Sequence, residues 1–258
     1  MYKIIPKKSL GQHWLHDEDV LEDICDLAEL EPSDNVVEIG PGLGTLTAKL
    51  LERGANVAAV EFDSELSDQL QKNLISKNLT VINQDILKFD FTKMPEDYKV
   101  VANIPYYLTS NLIRVFTESD SKPSLAVLLV QKEVAQRICD KPGRMSLLSV
   151  WAQINFECSL GPVVPAKLFT PPPKVDSQVV VMKKLAKPLD LDVDRKTLTR
   201  VLKAGFSNKR KTLHNSLSAG LNISKDESKK ILELSNINPM SRPQDLSIDD
   251  WLKLARNT

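Results

Sequence analysis

From about residue 36 the chain alternates short β-branched apolar runs with longer amphipathic stretches. That alternation predicts a parallel sheet with helices on both faces. The expected strands cover residues 36–39, 57–61, 80–83, 100–102, 125–130, 154–159 and 178–183, with helical patterns at 44–53, 64–77, 109–117, 132–139 and 145–152. Between Pro162 and Pro173 lie five prolines, which cannot continue a helix or a central strand, so a stiff extended loop is expected before the last strand. After Lys187-Pro188 the β-branched runs stop and helical periodicity takes over. The pattern therefore predicts an α/β domain over residues 1–186 and a small all-α domain over 187–258.

Composition agrees with that division. A chain of 258 residues, 42% hydrophobic and 26% charged, has the make-up of a globular protein able to bury a large core and a smaller one. No apolar run has the length of a signal peptide at the N-terminus or of a membrane span later on, so a cytoplasmic protein with no membrane partner is expected. The three cysteines, Cys25, Cys139 and Cys158, are far apart and form no Cys-x-x-Cys pair. They predict buried thiols, with neither a disulfide framework nor a metal site.

Charge changes the picture, because the net value of zero hides an asymmetry. Residues 1–186 carry 20 Lys and Arg against 25 Asp and Glu, a balance of −5, whereas 187–258 carry 14 against 9, a balance of +5. A neutral chain argues against a nucleic-acid partner, but a basic C-terminal region is suited to phosphate. Within it, Lys209-Arg210-Lys211 reads either as a solvated helix end or as a phosphate contact, and the basic setting favours the second.

The strongest chemical feature is Val36-Val37-Glu38-Ile39-Gly40-Pro41-Gly42-Leu43-Gly44-Thr45, a strand running through a glycine-rich turn into a helix. Glycine there lets the backbone approach a ligand closely. The dinucleotide spacing Gly-x-Gly-x-x-Gly would require glycine at Thr45, so a pyrophosphate ligand is disfavoured. Alone, such a turn can also be just a tight connection. Other strand ends converge with it: Glu61, Asp85 and Asn103 close the second, third and fourth strands, and ligands of open α/β sheets bind at those ends. An acid ending the second strand can accept both ribose hydroxyls, and one ending the third can accept an adenine amine.

Asn103-Ile104-Pro105-Tyr106 adds an unusual group. The Asn103 side-chain oxygen and the Ile104 carbonyl can each take one N–H of an exocyclic adenine amine, favouring its nucleophilic pyramidal form, while Tyr106 offers a flat face for the base. A turn holding a buried tyrosine is the plainer reading of the same four residues.

With the Glu38–Gly44 turn, this tetrapeptide resembles that of the rRNA adenine N6-methyltransferases. Ser9-Leu10-Gly11-Gln12-His13-Trp14-Leu15 is similar to their N-terminal cofactor-covering motif. Phe169-Thr170-Pro171-Pro172-Pro173-Lys174-Val175-Asp176-Ser177, Phe206-Ser207-Asn208-Lys209-Arg210-Lys211-Thr212-Leu213 and Arg242-Pro243-Gln244-Asp245-Leu246-Ser247 are similar to their late motifs, so the resemblance spans nearly the whole chain. It implies a Rossmann-like class I methyltransferase with a mostly parallel seven-stranded sheet, using S-adenosyl-L-methionine. The branch resembled most methylates two adjacent adenosines near the 3′ end of small-subunit (16S) rRNA, within the 30S subunit or its precursor, and a monomer is expected. Carried over by position, His13, Leu15, Gly40, Glu61, Asp85 and Asn103 would contact the cofactor. Asn103, Ile104, Pro105 and Tyr106 would act on the target, with Phe169 closing the other face of the adenine against Tyr106. His13 and Trp14 depart from the Asn and Phe often found there.

Two alternatives remain from the sequence. The first is the antibiotic-resistance branch of the same family, which acts on large-subunit (23S) rRNA; Pro171-Pro172-Pro173 and the 206–213 segment favour the small-subunit branch. The second is a nicotinamide-dependent oxidoreductase, which Thr45 and the Asn-Ile-Pro-Tyr element disfavour.

Overall fold

A computed structural model describes residues 6–7, 10–189 and 192–258; Ser9, at the head of the N-terminal motif, lies outside them. Strands β2 (Asn35–Ile39), β3 (Asn56–Glu61), β4 (Leu79–Asn83), β5 (Lys99–Asn103), β6 (Leu125–Gln131), β7 (Phe156–Val164) and β9 (Ser177–Lys184) form one seven-stranded sheet in the order β4-β3-β2-β5-β6-β9-β7. The β4-β3-β2-β5-β6 ladder is parallel and β9 joins β6 antiparallel. The order reverses beside β2, which places the carboxyl ends of β2, β3 and β5 around one crevice, where open α/β sheets bind ligands.

Two elements outside the expected set complete the site's frame. Helix α1 (Glu18–Leu27) starts where Asp17 caps the Val20 amide, and buries Leu21, Ile24 and Cys25 at helical spacing. Ahead of it, β1 (Trp14–Leu15) pairs antiparallel with β8 (Phe169–Thr170), Trp14 opposite Thr170 and Leu15 opposite Phe169. Helices α2 (Thr45–Glu52), α3 (Ser64–Asn73), α4 (Thr109–Glu118) and α5 (Lys132–Ile138) follow the strands as expected. The core of this unit joins Ile24, Cys25, Val36, Leu50, Ala59, Val101, Val127 and Val179, all fully buried or nearly so.

The stiff loop is shorter than predicted. Strand β7 runs on through Pro162 to Val164, and a 3-10 turn at Ala166–Leu168 then leads into β8. Proline is tolerated there because β7 ends the strand order and is an edge strand, where a missing N–H disrupts little.

The chain divides into two compact units, one of residues 1–136 and 157–184 and the other of 137–156 and 185–258. This differs from a single boundary near 187. Helix α6 (Leu147–Asn155) belongs with α7 (Arg195–Phe206), α8 (Leu213–Leu221), α9 (Lys225–Leu234) and α10 (Ile248–Arg256), because Met145, Val150 and Ile154 are buried in the same core as Val201, Leu202, Leu217 and Trp251. Periodicity announces a helix but not which core its apolar face joins. Among the described residues, no helix is long and apolar enough to cross a membrane.

Candidate functional site

The crevice at the strand ends holds a cavity of about 290 Å³. Nine of the residues singled out by sequence line it: His13, Leu15, Gly40, Glu61, Asp85, Asn103, Ile104, Pro105 and Tyr106. Three carboxylates line it, those of Glu38, Glu61 and Asp85, and no Lys or Arg does so among the described residues.

The glycine turn forms its floor. Gly40 and Gly42 have φ of 64° and 57°, in the left-handed region that a side chain disfavours, and a Cβ on Gly42 would lie 3.1 Å from the Trp14 ring. From β3, Glu61 reaches across to this turn: one carboxylate oxygen accepts from the Gly42 amide at 3.1 Å and the other from the Asp63 amide at 2.9 Å. Burial raises its pKa, and these two amides offset part of the rise. Asp85 caps the following 3-10 turn by accepting from the Leu87 amide at 3.0 Å through Oδ1.

Glu38 is the most secluded acid, with 1% exposure at the end of β2. Burial pushes its carboxyl up to about 8, and the nearby charge of Glu61 adds to the rise. The Thr47 hydroxyl lies close enough to offset a part, without a hydrogen bond of sound geometry, and Glu38 Oε2 has no partner among the described residues.

The N-terminal arm forms the opposite wall. Thr45 Oγ1 donates to the Leu15 carbonyl at 2.9 Å, and Lys7 and Gln12 both reach the buried Asp63 carboxylate, at 2.8 and 3.3 Å. His13 makes three contacts: its carbonyl accepts from Asn103 Nδ2 at 3.0 Å, its Nδ1 lies 2.7 Å from the Pro171 carbonyl, and its ring lies nearly parallel to that of Tyr106, at 23° and 5.9 Å between centroids. Since a carbonyl only accepts, His13 Nδ1 carries the proton.

Asn103 ends β5, where the Ile104 amide still bonds to the Leu129 carbonyl of β6. Pro105 then turns the chain into a 3-10 segment at Tyr106–Leu108. The Tyr106 hydroxyl lies 2.8 Å from Ser177 Oγ, a fully buried residue that starts β9. Burial raises the phenol's pKa. Next to it Tyr107, more than half exposed, packs 3.6 Å from the Cβ position of Gly11.

Phe169 does not join this group. Its side chain is 2% exposed and packs in the hydrophobic core with Leu15, and it is not among the cavity's lining residues. Pairing β8 with β1 turns the Phe169 ring into the core, so in this structure it does not line the cavity that Tyr106 lines. Lys209, Arg210 and Lys211 are exposed in the turn between α7 and α8, within the other unit, and make no ion pair among the described residues. Trp14, Glu38, Phe62, Tyr107 and Ser177 are the contributors that residue-by-residue reading left without a role. The alternation of β2 could have marked Glu38, since Val36 and Glu38 share one face of a strand that is buried on both sides.

The family of ribosomal RNA adenine dimethylases matches residues 5–257. The chain belongs to that family. Ribosomal RNA small subunit methyltransferase A from Dehalococcoides mccartyi (strain CBDB1) is 41% identical over 262 residues, covering 98% of this chain and 89% of that relative. Among solved structures, a dimethyladenosine transferase from Plasmodium falciparum is similar with a TM-score of 0.78 and 29% identity, over 94% of this chain and 96% of the other. The 23S rRNA methyltransferase ErmE is similar with a TM-score of 0.72 and 27% identity, over 95% and 98%. As a member of the dimethylase family the chain is a Rossmann-like methyltransferase and takes a cofactor of the S-adenosylmethionine type. The residues present fit such a group: a cavity rich in carboxylates and without a lining Lys or Arg among the described residues suits a cation, and the positive-φ glycines of the turn, lacking side chains, admit close approach. A pyrophosphate-bearing nicotinamide dinucleotide would meet repulsion from Glu61 and Asp85.

Proposed function

We propose that this enzyme transfers methyl groups from S-adenosyl-L-methionine to N6 of two adjacent adenosines near the 3′ end of small-subunit (16S) rRNA, in the 30S subunit or its precursor. The observation that carries the chemistry is the union, in one carboxylate-lined cavity, of the glycine turn with the Asn103–Tyr106 element. The curated relative at 41% identity, named for the small subunit, supports that target over the large-subunit one.

When bound, the cofactor supplies an electrophilic methyl on a sulfonium. Glu61, at the end of β3, accepts from the ribose hydroxyls, and Asp85 accepts from the adenine amine of the cofactor. Asn103 acts on the target. Its Nδ2 is engaged by the His13 carbonyl, which leaves Oδ1 to accept one N–H of the substrate amine, and the Ile104 carbonyl accepts the other. These two acceptors favour the pyramidal amine, whose lone pair is then available for attack. Tyr106 supplies the stacking face for an adenine taken out of its helix. Lys209, Arg210 and Lys211, exposed and without acidic partners among the described residues, contact RNA phosphates.

Calorimetric titration tests the cofactor directly: S-adenosylmethionine binds and NAD does not. Binding of NAD alone would overturn the reading.

A further inference from the structure

A second groove, of about 450 Å³, opens in the α/β unit where the end of β6 and the start of α5 meet the chain between β8 and β9. Lys132 and Lys174 line it, both exposed and without an ion pair among the described residues. The side-chain amides of Gln131 and Gln136 line it too, and neither makes a hydrogen bond among the described residues. Val175, 47% exposed, adds an apolar surface. Glu133 and Asp176 complete the lining, and Asp176 Oδ1 accepts from the Ala166 amide at 2.9 Å, which holds the loop that carries Lys174 and Val175.

This groove is joined to the site at Tyr106. Gln131 stands opposite Ser177 in the antiparallel ladder of β6 and β9, and Ser177 Oγ lies 2.8 Å from the Tyr106 hydroxyl. Paired residues share one face of a sheet, and neighbouring strands are about 5 Å apart. The groove therefore begins one strand away from the residue that holds the Tyr106 ring. The Lys132 amide, donating to the Asp176 carbonyl at 3.0 Å, prolongs the ladder into it.

The lining has the chemistry of a nucleotide site. An ammonium suits a phosphate, and a free glutamine amide offers a donor and an acceptor side by side, the pair that matches N7 and the N6 amine of adenine. A lone exposed valine means little, but beside these groups it gives a base a face to pack on. Two lysines set against two carboxylates cannot make a long phosphate track, whereas one nucleotide needs only a cation at each flanking phosphate.

We propose that this groove holds the nucleotide adjacent to the target adenosine, with Lys132 and Lys174 on its flanking phosphates, the Gln131 amide on its base edge and Val175 against its face. The inference rests on the RNA reading above, in which the target base stacks on Tyr106 and its neighbour stays tied to it by one phosphodiester. Adjacent acceptors then follow from the protein, because the groove selects an adenine beside the one being methylated.

The test uses small subunits reconstituted with 16S rRNA in which either one of the two adenosines is replaced by uridine, so that a single acceptor keeps a changed neighbour. For one of the two substituted subunits, the wild type methylates the remaining acceptor with kcat/KM about tenfold below that for the same acceptor in unsubstituted subunits, the value of one bidentate base contact. Gln131→Ala lowers kcat/KM for unsubstituted subunits by a similar factor and no longer distinguishes the neighbour. Replacing both lysines, Lys132→Ala with Lys174→Ala, raises KM for subunits about tenfold and flattens its logarithmic salt dependence by roughly 1.4, two single-strand phosphate contacts, with kcat and S-adenosylhomocysteine affinity unchanged. A wild type indifferent to both replacements, or a Gln131→Ala variant that still discriminates, overturns the placing of the base. Unchanged KM and salt dependence in the lysine variant overturn the phosphate contacts. Failure of the wild type to methylate 16S rRNA in unsubstituted subunits would instead overturn the RNA reading itself.

Discussion

Asn103, at the end of β5, donates a side-chain N–H to the backbone carbonyl of His13 at 3.0 Å, tying the N-terminal arm to the residue assigned to the target amine. Because a carbonyl cannot donate, this contact fixes which end of the planar amide is nitrogen and points the oxygen the other way. Asn103→Ala is expected to lower kcat on the order of 100-fold, the loss typical of one preorganised polar contact to the reacting group, with RNA affinity nearly unchanged. Single-turnover methylation together with filter binding measures both. Near-normal turnover would remove Asn103 from the chemistry.

Tyr106 and Ser177 are bonded through their hydroxyls at 2.8 Å, which orients the ring. Tyr106→Ala is expected to cost roughly tenfold or more in kcat/KM, the value of stacking one base on an aromatic face. Tyr106→Phe and Ser177→Ala keep the ring and lose one hydrogen bond, so each costs only a few-fold. The double variant is expected to be no worse than either, because both substitutions break the same bond. A Phe variant as inactive as the Ala variant would assign the role to the phenol.

Phe169 is a core residue in this structure, so its truncation acts on stability. Phe169→Ala is expected to destabilise the fold by about 3–5 kcal/mol, seen as a lower denaturant midpoint. An unchanged midpoint with a tenfold loss of kcat/KM would return the residue to the adenine.

Strand ends were legible in the sequence because an acid or amide closing an apolar run stands out, and Glu61, Asp85 and Asn103 do line one cavity. The side of the site that was not legible depends on contacts distant in the chain. A two-residue strand such as Trp14–Leu15 has no period to read, and its pairing with Phe169–Thr170 decides where the Phe169 ring goes. The partner of Tyr106, 71 residues away, likewise follows from β9 lying beside β6, which no local pattern specifies. Helix α6 was visible as a helix, but its place in the second core depends on Val201 and Trp251, far along the chain.

Glu38 also carries a pH signature. Its carboxyl is raised from an ordinary 4.5 to about 8, so the folded state prefers it protonated. Its contribution to stability is complete below the unfolded value and is lost as pH rises through the folded one. Without ligand, Glu38→Gln is therefore expected to gain thermal stability relative to the wild type as pH rises from about 5 to 8, a trend that melting curves across that range measure. A constant difference across that range would show that Glu38 ionises freely.

The most direct test of the central claim is mass spectrometry of rRNA after incubating purified enzyme and S-adenosylmethionine with 30S subunits from a strain lacking the modification. Two adjacent N6,N6-dimethyladenosines near the 3′ end of 16S rRNA are expected, strongly reduced when Asn103→Ala replaces the wild type. Methylation of 23S rRNA with the 16S rRNA left unmodified would contradict it.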